Sequence, residues 1–353
     1  MSLIEALPKA DLHCHLDGSL RLRTIWDLAR EQGIDLGVAS VEGLAEKIRP
    51  RPGEDLRDYI AKFVYPLAVL QEADALRRVA RELAEDAHEE NVRYLEVRFA
   101  PDLHTRKGMT LSEVVEAVLA GLNDAERSFG IESRVIVCAI RTVDPDASLR
   151  LAELAVSFKN RGVVGFDLAG EERDNPAKHH LKAFYEILNH NINVTVHAGE
   201  AFGAPSISQA LHYCGAHRIG HGTHLREDPD LLQYVNDHRI PLEMCLTSNV
   251  QTGAARSAAE HPFADYFRLD LRVTLNTDNR LISDTTVTKE LALAIETFAL
   301  SIYDLRKILI NGFKSSFLPQ AEKKRILRAA IHEMDSLFAG AYPGEYDRYR
   351  TFL

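Results

Sequence analysis

The sequence predicts an α/β protein with the architecture of a (β/α)8 TIM barrel. Three observations support this fold class. The chain has 353 residues, enough for one large α/β domain. Short apolar runs recur eight times, and helix-length amphipathic stretches separate them. Such alternation is typical of parallel strands joined by helical crossovers, and eight repeats favour a closed barrel over an open sheet. We therefore expect a single domain over 1–353.

The eight candidate strands are mostly apolar without strict alternation, as expected of parallel strands that are buried on both faces. In chain order they are ADLHCHL (10–16), VRYLEVRFA (92–100), SRVIVCAI (133–140), VVGFDLAG (163–170), NVTVHAGE (193–200), HRIGHGT (217–223), PLEMCLTSN (241–249) and RVTLNTDN (272–279).

Helical periodicity is clear between these runs. The stretch 74–90 has an apolar face formed by Leu76, Val79, Ala80, Leu83 and Ala87. A second helix begins at Thr110, with Glu113 three residues on as a capping box, and turns Val114, Val115, Val118 and Leu122 inward. Two regions exceed what a minimal barrel of about 250 residues needs. They predict a helical insertion at about 17–91 and a helical tail at about 285–340.

Composition and charge exclude several classes of protein. The chain has 42 Lys and Arg against 52 Asp and Glu, a net charge of −10, so we expect no nucleic-acid partner. No run approaches the roughly 20 apolar residues that cross a bilayer, so we expect no membrane partner. The first residues do not resemble a secretory signal, and four scattered cysteines suit a reducing compartment. We expect a cytoplasmic protein that acts on small molecules.

Polar residues that bind metals or move protons follow four of the predicted strands. His13 and His15 end the first, His197 the fifth, His221 the sixth and Asp278 the eighth. In barrel enzymes the active site lies at these carboxyl ends of the strands. Residues i and i+2 of a strand share a side, so His13 and His15 can face one metal ion. Each histidine alone is at least as well explained as a core or loop residue, and only their common position favours a site.

Three neutral imidazoles and one carboxylate suit Zn²⁺ with a water as its last ligand. The metal would lower the pKa of that water to about 7. His221 is then left to accept a proton from the water or to orient it, and Glu200 to donate a proton to the substrate. Motifs for a serine nucleophile, a phosphate loop and a dinucleotide fold are missing from the sequence.

Five segments together resemble the adenosine deaminase branch of the amidohydrolase superfamily. They are ADLHCHLDGSL, GFDLAGEE, VHAGE, RIGHGTHL and LNTDN, and the resemblance extends from about residue 7 to about residue 340. It implies one zinc ion per chain, and the ligands that it implies are His13, His15, His197 and Asp278. It also implies that hydroxide attacks carbon 6 of a 6-aminopurine. Glu200 then protonates ring nitrogen N1, and His221 positions or deprotonates the water.

The same resemblance implies substrate-binding roles for His15, Asp17, Gly170 and Asn279. Asp17 corresponds to a residue that contacts the nucleoside sugar, and the Gly170 N–H to a donor to purine N3. Adenine-specific relatives typically have HIEG where this chain has HLDG. Tyr59 and Phe63 align loosely with an apolar lid over the sugar pocket, and ordinary helix packing explains them equally well.

The chain departs from the family pattern after its last strand. The family commonly reads NTDDP, and this sequence reads Asn276-Thr277-Asp278-Asn279-Arg280. The Asn279 amide can donate to purine N7 at any pH, whereas an aspartate must first be protonated. Arg280 is interpreted as a solvated loop residue or as a cation that reaches a 5′ substituent.

We therefore expect zinc-dependent deamination of adenosine and 2′-deoxyadenosine to inosine and 2′-deoxyinosine. The alternatives are a deaminase of a 5′-modified adenosine such as aminodeoxyfutalosine, a deaminase of adenine, and a non-catalytic purine-binding barrel.

Overall fold

Eight parallel strands lie at the centre of the molecule, in the order in which they follow one another along the chain. The structure is a computed structural model that describes residues 3–342 and residue 346. The strands are β1 (Lys9–His15), β2 (Val92–Phe99), β3 (Glu132–Ile140), β4 (Val163–Ala169), β5 (Asn193–Ala198), β6 (Arg218–His221), β7 (Leu242–Met244) and β8 (Val273–Leu275). Each of the eight predicted strands is present.

The sheet closes between β1 and the segment that follows β8. The Asp278 N–H donates to the carbonyl oxygen of His13 at 2.7 Å, and the His15 N–H donates to the carbonyl oxygen of Asp278 at 2.7 Å. The two ends of the sheet are thereby joined by main-chain hydrogen bonds. This confirms the predicted (β/α)8 TIM barrel.

Helices surround the barrel and extend it at both ends of the chain. They are α1 (Leu3–Ala6), α2 (Leu22–Gln32), α3 (Val41–Ile48), α4 (Leu56–Ala61), α5 (Val64–Val69), α6 (Ala73–Glu89), α7 (Leu111–Phe129), α8 (Pro145–Ser157), α9 (Leu181–Asn189), α10 (Ala204–His212), α11 (Pro229–Asp237), α12 (Leu246–Gln251), α13 (Phe263–Arg268), α14 (Val287–Phe298), α15 (Ile302–Ser315) and α16 (Gln320–Ala341). Short 3-10 turns lie at Pro101–His104, Ala177–His180, Leu225–Glu227 and Ala258–Glu260. No helix in the described part of the chain is long and apolar enough to cross a membrane.

The helical insertion consists of α2–α5, and α6 then leads into β2. The predicted apolar face of α6 is buried, as is that of α7. The capping box at the start of α7 is formed, because the Thr110 hydroxyl accepts from the Glu113 N–H and the Glu113 carboxylate accepts from the Thr110 N–H. The helical tail consists of α14–α16, and α15 packs against both β1 and β8.

The inside of the barrel carries charged side chains, which we had not predicted. They form one paired network made of Glu96, Arg98, Asp167, Arg218 and Glu243, each at most 1% exposed. Arg98 donates to Asp167 and to Glu243 at 2.8 Å each, and Arg218 donates to Glu96 at 2.5 Å and also pairs with Glu243. Buried charges are tolerated when paired in this way. The network joins side chains of β2, β4, β6 and β7.

Candidate active site

A cavity of about 440 Å³ opens at the carboxyl ends of the strands, a volume typical of sites for small molecules. Most of its lining is apolar, and the polar groups converge at its base. Eight of the predicted site residues line it: His15, Asp17, Gly170, His197, Glu200, His221, Asp278 and Asn279. His13 is fully buried and has its ring centroid 4.5 Å from that of His197. The structure therefore brings all the predicted site residues together.

Histidine and aspartate side chains form a compact group with metal-ligand chemistry. One donor atom each from His13, His197, His221 and Asp278 lies within 4.8 Å of the others. The fifth candidate, His15, has its Nε2 3.1 Å from Nε2 of His197 and 3.4 Å from Oδ1 of Asp278. Four donors thus lie close together, and His15 lies beside two of them.

Buried carboxylates orient two of these imidazoles. Nδ1 of His13 lies 2.9 Å from Glu243, and Nδ1 of His197 lies 3.0 Å from Asp167. When Nδ1 donates to a carboxylate, Nε2 presents its lone pair, which is the usual arrangement around a metal-binding histidine. Nε2 of His13 is buried and has no hydrogen-bond partner among the described residues. An orphaned acceptor of this kind fits a metal ion.

Arg98 lies between the two orienting carboxylates and donates to both. Burial opposes their ionisation, but His197 and Arg98 lower the pKa of Asp167, and Arg218 and Arg98 lower the pKa of Glu243. Both groups are therefore anionic at neutral pH and accept from the imidazoles. The sequence prediction did not include Arg98, Asp167 or Glu243, because it considered only the ends of the strands. The available signal was a charged residue in the middle of an apolar run, as in VRYLEVRFA and VVGFDLAG.

The fourth proposed ligand, Asp278, is held by a short hydrogen bond. The Ser248 hydroxyl, in α12, donates to Oδ2 of Asp278 at 2.6 Å, which leaves Oδ1 directed at His13 and His15 at 3.4 Å each. The backbone of Asp278 has a φ of 58°, and that of His221 has a φ of 63°. Such left-handed conformations in residues with side chains cost about 1–3 kcal/mol and concentrate at functional sites.

Glu200 lies beside this group with its carboxyl group buried. The Thr252 hydroxyl donates to Oε1 of Glu200 at 3.0 Å, and Oε2 lies 3.5 Å from Nε2 of His221. Burial, followed by the negative charges of Asp278 and Glu172, raises the pKa of Glu200 to about 8. At neutral pH the group therefore carries a proton that it can donate.

His221 is held from behind by an amide. Its Nδ1 lies 3.0 Å from the Asn249 side-chain nitrogen, which can only donate, so this imidazole nitrogen accepts. Burial and the neighbouring His13 lower the pKa of His221 well below its usual value. A side chain on the neighbouring Gly220 would lie 3.1 Å from Cα of His197 and 3.2 Å from Cε1 of His13, so this strand position must be small.

The lining of the cavity also includes the carboxyl group of Asp17 and an apolar wall. Asp17 is 4% exposed, and burial raises its pKa to about 7. Its Oδ2 lies 3.8 Å from Nε2 of His104, another residue that we had not predicted. The wall comes from α4 and its neighbours and includes Tyr59 and Phe63, and the Tyr59 hydroxyl lies 2.7 Å from Oγ of Ser283. Both aromatics line the cavity, and their role as a lid stays a prediction.

Asn279 and Arg280 diverge after the last strand. Asn279 lines the cavity and packs on Gly18, where a Cβ would lie 1.8 Å from the Asn279 side-chain oxygen. Arg280 turns away to a second cavity and pairs with Glu90 at 2.6 Å, with 8% of its side chain exposed. The interpretation of Arg280 as a solvated residue is wrong, because its side chain is mostly buried, and Arg280 lines a different cavity from the one that contains Glu200. The carboxylate that pairs with it is separated from it by 190 positions and has no sequence signal.

Comparison with known proteins agrees with this geometry. The adenosine deaminase family model matches residues 8–333. An adenosine deaminase of Mycobacterium avium is 43% identical over 96% of this chain and 98% of the relative. An adenine deaminase from Arthrobacter aurescens has a TM-score of 0.87 at 27% identity, over 92% of this chain and 98% of that structure. A zinc-bound amidohydrolase from Burkholderia ambifaria has a TM-score of 0.87 at 26% identity, over 95% and 92%. The chain thus belongs to the adenosine deaminase family and is a hydrolase that acts on carbon–nitrogen bonds.

Proposed function

We propose that this protein hydrolyses adenosine and 2′-deoxyadenosine to inosine and 2′-deoxyinosine, with release of ammonia. The C6–N6 bond of the purine breaks, and a bond forms between carbon 6 and the oxygen of water. Of the two protons that the water loses, one leaves with the amino group as ammonia and the other replaces the proton that Glu200 gives to N1. The observation that carries the proposal is the position of Glu200, whose buried carboxyl group lies in one cavity with the histidine and aspartate group and with Asp17.

We propose one zinc ion per chain, with His13, His15, His197 and Asp278 as its ligands. Two observations support this choice: the unpartnered Nε2 of His13, and the carboxylates that orient His13 and His197. The bound Burkholderia ambifaria zinc adds support from a protein of the same fold. Zinc supplies Lewis acidity that makes water a nucleophile at neutral pH.

The chain's own residues then divide the proton transfers. Glu200 donates its proton to purine N1, which makes carbon 6 more electrophilic. His221 accepts a hydrogen bond from Asn249 at Nδ1, so the neutral ring carries its proton on Nε2 and orients the attacking oxygen through that N–H. This favours the orienting role of His221 over a role as the first proton acceptor. The Gly170 N–H and the Asn279 amide are proposed to donate to N3 and N7.

Asp17 supports a nucleoside over a free base. Its buried carboxyl group lines the same cavity as Tyr59 and Phe63, and we propose that it forms a hydrogen bond with a sugar hydroxyl. A 5′-substituted adenosine is a second candidate, because the exposed Arg106 lines the same cavity and could meet a polar substituent. Adenine is the third candidate, supported by the likeness to the Arthrobacter aurescens adenine deaminase.

A steady-state comparison of kcat/KM tests these candidates. The substrates are adenosine, 2′-deoxyadenosine, adenine, adenosine monophosphate and 5′-substituted adenosines, each with the zinc-loaded protein. We expect adenosine and 2′-deoxyadenosine to be the best substrates, and Asp17→Asn to lower kcat/KM for them. An advantage of about a hundredfold (~2.7 kcal/mol) for adenine or a 5′-substituted compound would replace the proposal. Stoichiometric zinc without ammonia release from any of them would favour a purine-binding protein.

A further inference from the structure

The loop that carries Glu200 directs four consecutive backbone N–H groups at one carboxylate. Oε1 of Glu172 accepts from the Gly199 N–H at 2.5 Å. Oε2 accepts from the N–H groups of Glu200, Ala201 and Phe202 at 3.0, 2.6 and 2.9 Å. Glu172 itself is 4% exposed. The resemblance to known deaminases assigned no role to this residue, the last of the GFDLAGEE segment.

Successive N–H groups that converge on one point form a concave anion site, which in many proteins holds a phosphate. Here the occupant is a side chain of the same protein. Hydrogen bonds to an ionised acceptor are roughly twice as strong as neutral ones. Without the carboxylate all four N–H groups would lose this acceptor, and two of them belong to the buried residues Gly199 and Glu200. The contact also joins the loop after β4 to the loop after β5.

The end of β5, which precedes this loop, is held by a residue that follows another strand. Arg141, which follows β3, donates from Nη2 to the carbonyl oxygen of His197 at 2.6 Å and from Nη1 to the carbonyl oxygen of Asn175 at 2.7 Å. Arg141 is 3% exposed. The main chain on both sides of Ala198 is therefore anchored by buried charged side chains, a cation before it and an anion after it.

Glu172 reaches the site through this loop and through its negative charge near Glu200. Glu172 is not one of the residues that line the cavity containing Glu200. The Glu200 side chain has its own contacts with Thr252 and His221. Those contacts can form only if the Glu200 backbone has the correct position, and displacements of about 1 Å in catalytic groups can lower rates a hundredfold.

We propose that Glu172 is a positioning residue for deamination, which holds the backbone of 199–202 so that the Glu200 carboxyl group faces the purine ring. The proposal rests on the proposed function of Glu200 as the proton donor. It makes a specific demand: loss of the Glu172 charge must act on the step that uses Glu200, with little effect on metal binding or on ground-state substrate affinity.

The test compares Glu172→Gln with the matched control Glu227→Gln in the zinc-loaded protein. Glu227 accepts from the Ala204 N–H at 3.3 Å, at the far end of the same loop, and is exposed. In Glu172→Gln, the new side-chain amide has one acceptor oxygen and directs its NH₂ group at N–H donors. We expect kcat to fall about ten- to hundredfold, the effect of losing a charged hydrogen-bond partner, with KM and zinc content near the wild-type values. The control is expected to stay within about twofold.

Two further measurements separate positioning from general damage. Because Glu172 acts through Glu200, Glu172→Gln should have little additional effect in a Glu200→Gln background. Amide hydrogen exchange of the peptide that covers 199–203 should accelerate in Glu172→Gln and not in Glu227→Gln. An unchanged kcat, unchanged exchange, or full additivity of the two substitutions would each overturn the proposal.

The hydrogen-exchange measurement also keeps this proposal separate from the proposed function. A wild-type protein that releases no ammonia from any 6-aminopurine contradicts the function, whereas unchanged exchange contradicts the hold of Glu172 on the loop. If Glu172→Gln does not fold, Glu172→Asp retains the charge and shortens the side chain by one methylene. That variant should show a smaller loss of kcat with the same faster exchange, and wild-type behaviour in both would overturn the proposal.

Discussion

Glu200 is a carboxyl group whose surroundings favour its protonated form. It is buried, it lies near the negative charges of Asp278 and Glu172, and the Thr252 hydroxyl donates to it. Two of these three features oppose ionisation. A protonated carboxyl group is one of the few side chains that can protonate a ring nitrogen at neutral pH. The protonation state of this carboxyl group therefore depends on the neighbouring residues.

Replacing Glu200 with Gln should lower kcat by about 10²–10⁴-fold, the usual contribution of a general acid. The amide has the shape of the protonated carboxyl group but no acidic proton. Zinc content, measured by atomic absorption, should stay at the wild-type level, since Glu200 is not a proposed ligand. In contrast, Asp278→Ala should lose zinc. Activity of Glu200→Gln near that of wild type would contradict the assigned role.

The pH dependence of the reaction should reflect the raised pKa of Glu200. Its folded-state value of about 8 means that the proton-donating form prevails below that pH and is lost above it. A bound divalent cation lowers this pKa. As the pH rises, kcat/KM should therefore begin to decline at about pH 8 or at a lower pH. A pH series on the zinc-loaded protein checks this. A rate that still rises beyond about pH 9 would show that protonated Glu200 is not required.

The proposed metal ligands and proton-transfer residues could be predicted from the sequence, and the residues that support them could not. His13, His15, His197, His221 and Asp278 follow apolar runs, where barrel enzymes have their sites. Asp167 and Glu243 lie within such runs, and their partners Arg98 and Arg218 come from other strands, β2 and β6. Pairing of this kind depends on how the closed sheet brings the strands together, which no local pattern encodes.

At the level of single elements, α4 forms one side of the cavity and is attached to the barrel at two places. The Tyr59 hydroxyl contacts Ser283 beyond β8, and Arg57 forms an ion pair with Glu171 beyond β4. One attachment is buried and the other is exposed. The helix therefore spans the mouth of the barrel, with Ile60 lining the cavity beneath it.

Arg57→Ala should weaken substrate binding by loosening the exposed attachment of α4. We expect KM to rise about two- to fivefold with little change in kcat, as an exposed ion pair contributes modestly. The difference should shrink at high ionic strength, because salt screens exposed charges. Arg77→Ala is the control, since Arg77 forms an exposed ion pair with Asp124 on α7, among the outer helices. Equal effects of the two substitutions would argue against a role of the Arg57 pair at the cavity.

The elements themselves were predictable because their signals are local. All eight strands appear within a few residues of the apolar runs, and α7 begins at the capping box Thr110 and Glu113. The strands are shorter than the runs toward the end of the chain: β7 has three residues where nine were predicted. The remaining residues of that run form α12, which supplies Ser248 and Asn249 to the site. A tertiary requirement for these side chains outweighs the apolar pattern there.

For the whole molecule, metal binding and folding should be coupled. The metal-ligand group draws on β1, β5, β6 and the segment after β8, which come together only in the folded chain. A ligand that binds the folded state alone stabilises it by about 4 kcal/mol at a thousandfold excess over its Kd. Thermal unfolding should therefore shift several degrees upward with zinc and downward with a chelator. A Tm that is independent of zinc in the wild type would contradict the proposed site.

We propose that the helical insertion and the barrel unfold together as one domain. Trp26, the only tryptophan of the chain, lies in α2 and reports on the insertion. The insertion is tied to α6 by hydrogen bonds from Arg21 to Asp86 and from Thr24 to Glu82. In urea, tryptophan fluorescence and far-UV circular dichroism should therefore give coincident transitions. A fluorescence transition at clearly lower urea would show that the insertion is an independent unit.

The main-chain hydrogen bonds that join β1 to the segment after β8 belong to the backbones of His13, His15 and Asp278, while the proposed chemistry belongs to their side chains. A substitution at one of these positions can change the reaction while the main-chain hydrogen bonds that close the barrel remain. Closure of the barrel thus depends on the backbone atoms of these residues, and the proposed reaction depends on their side-chain atoms. Replacing these side chains can therefore alter the metal or the reaction while the barrel stays closed.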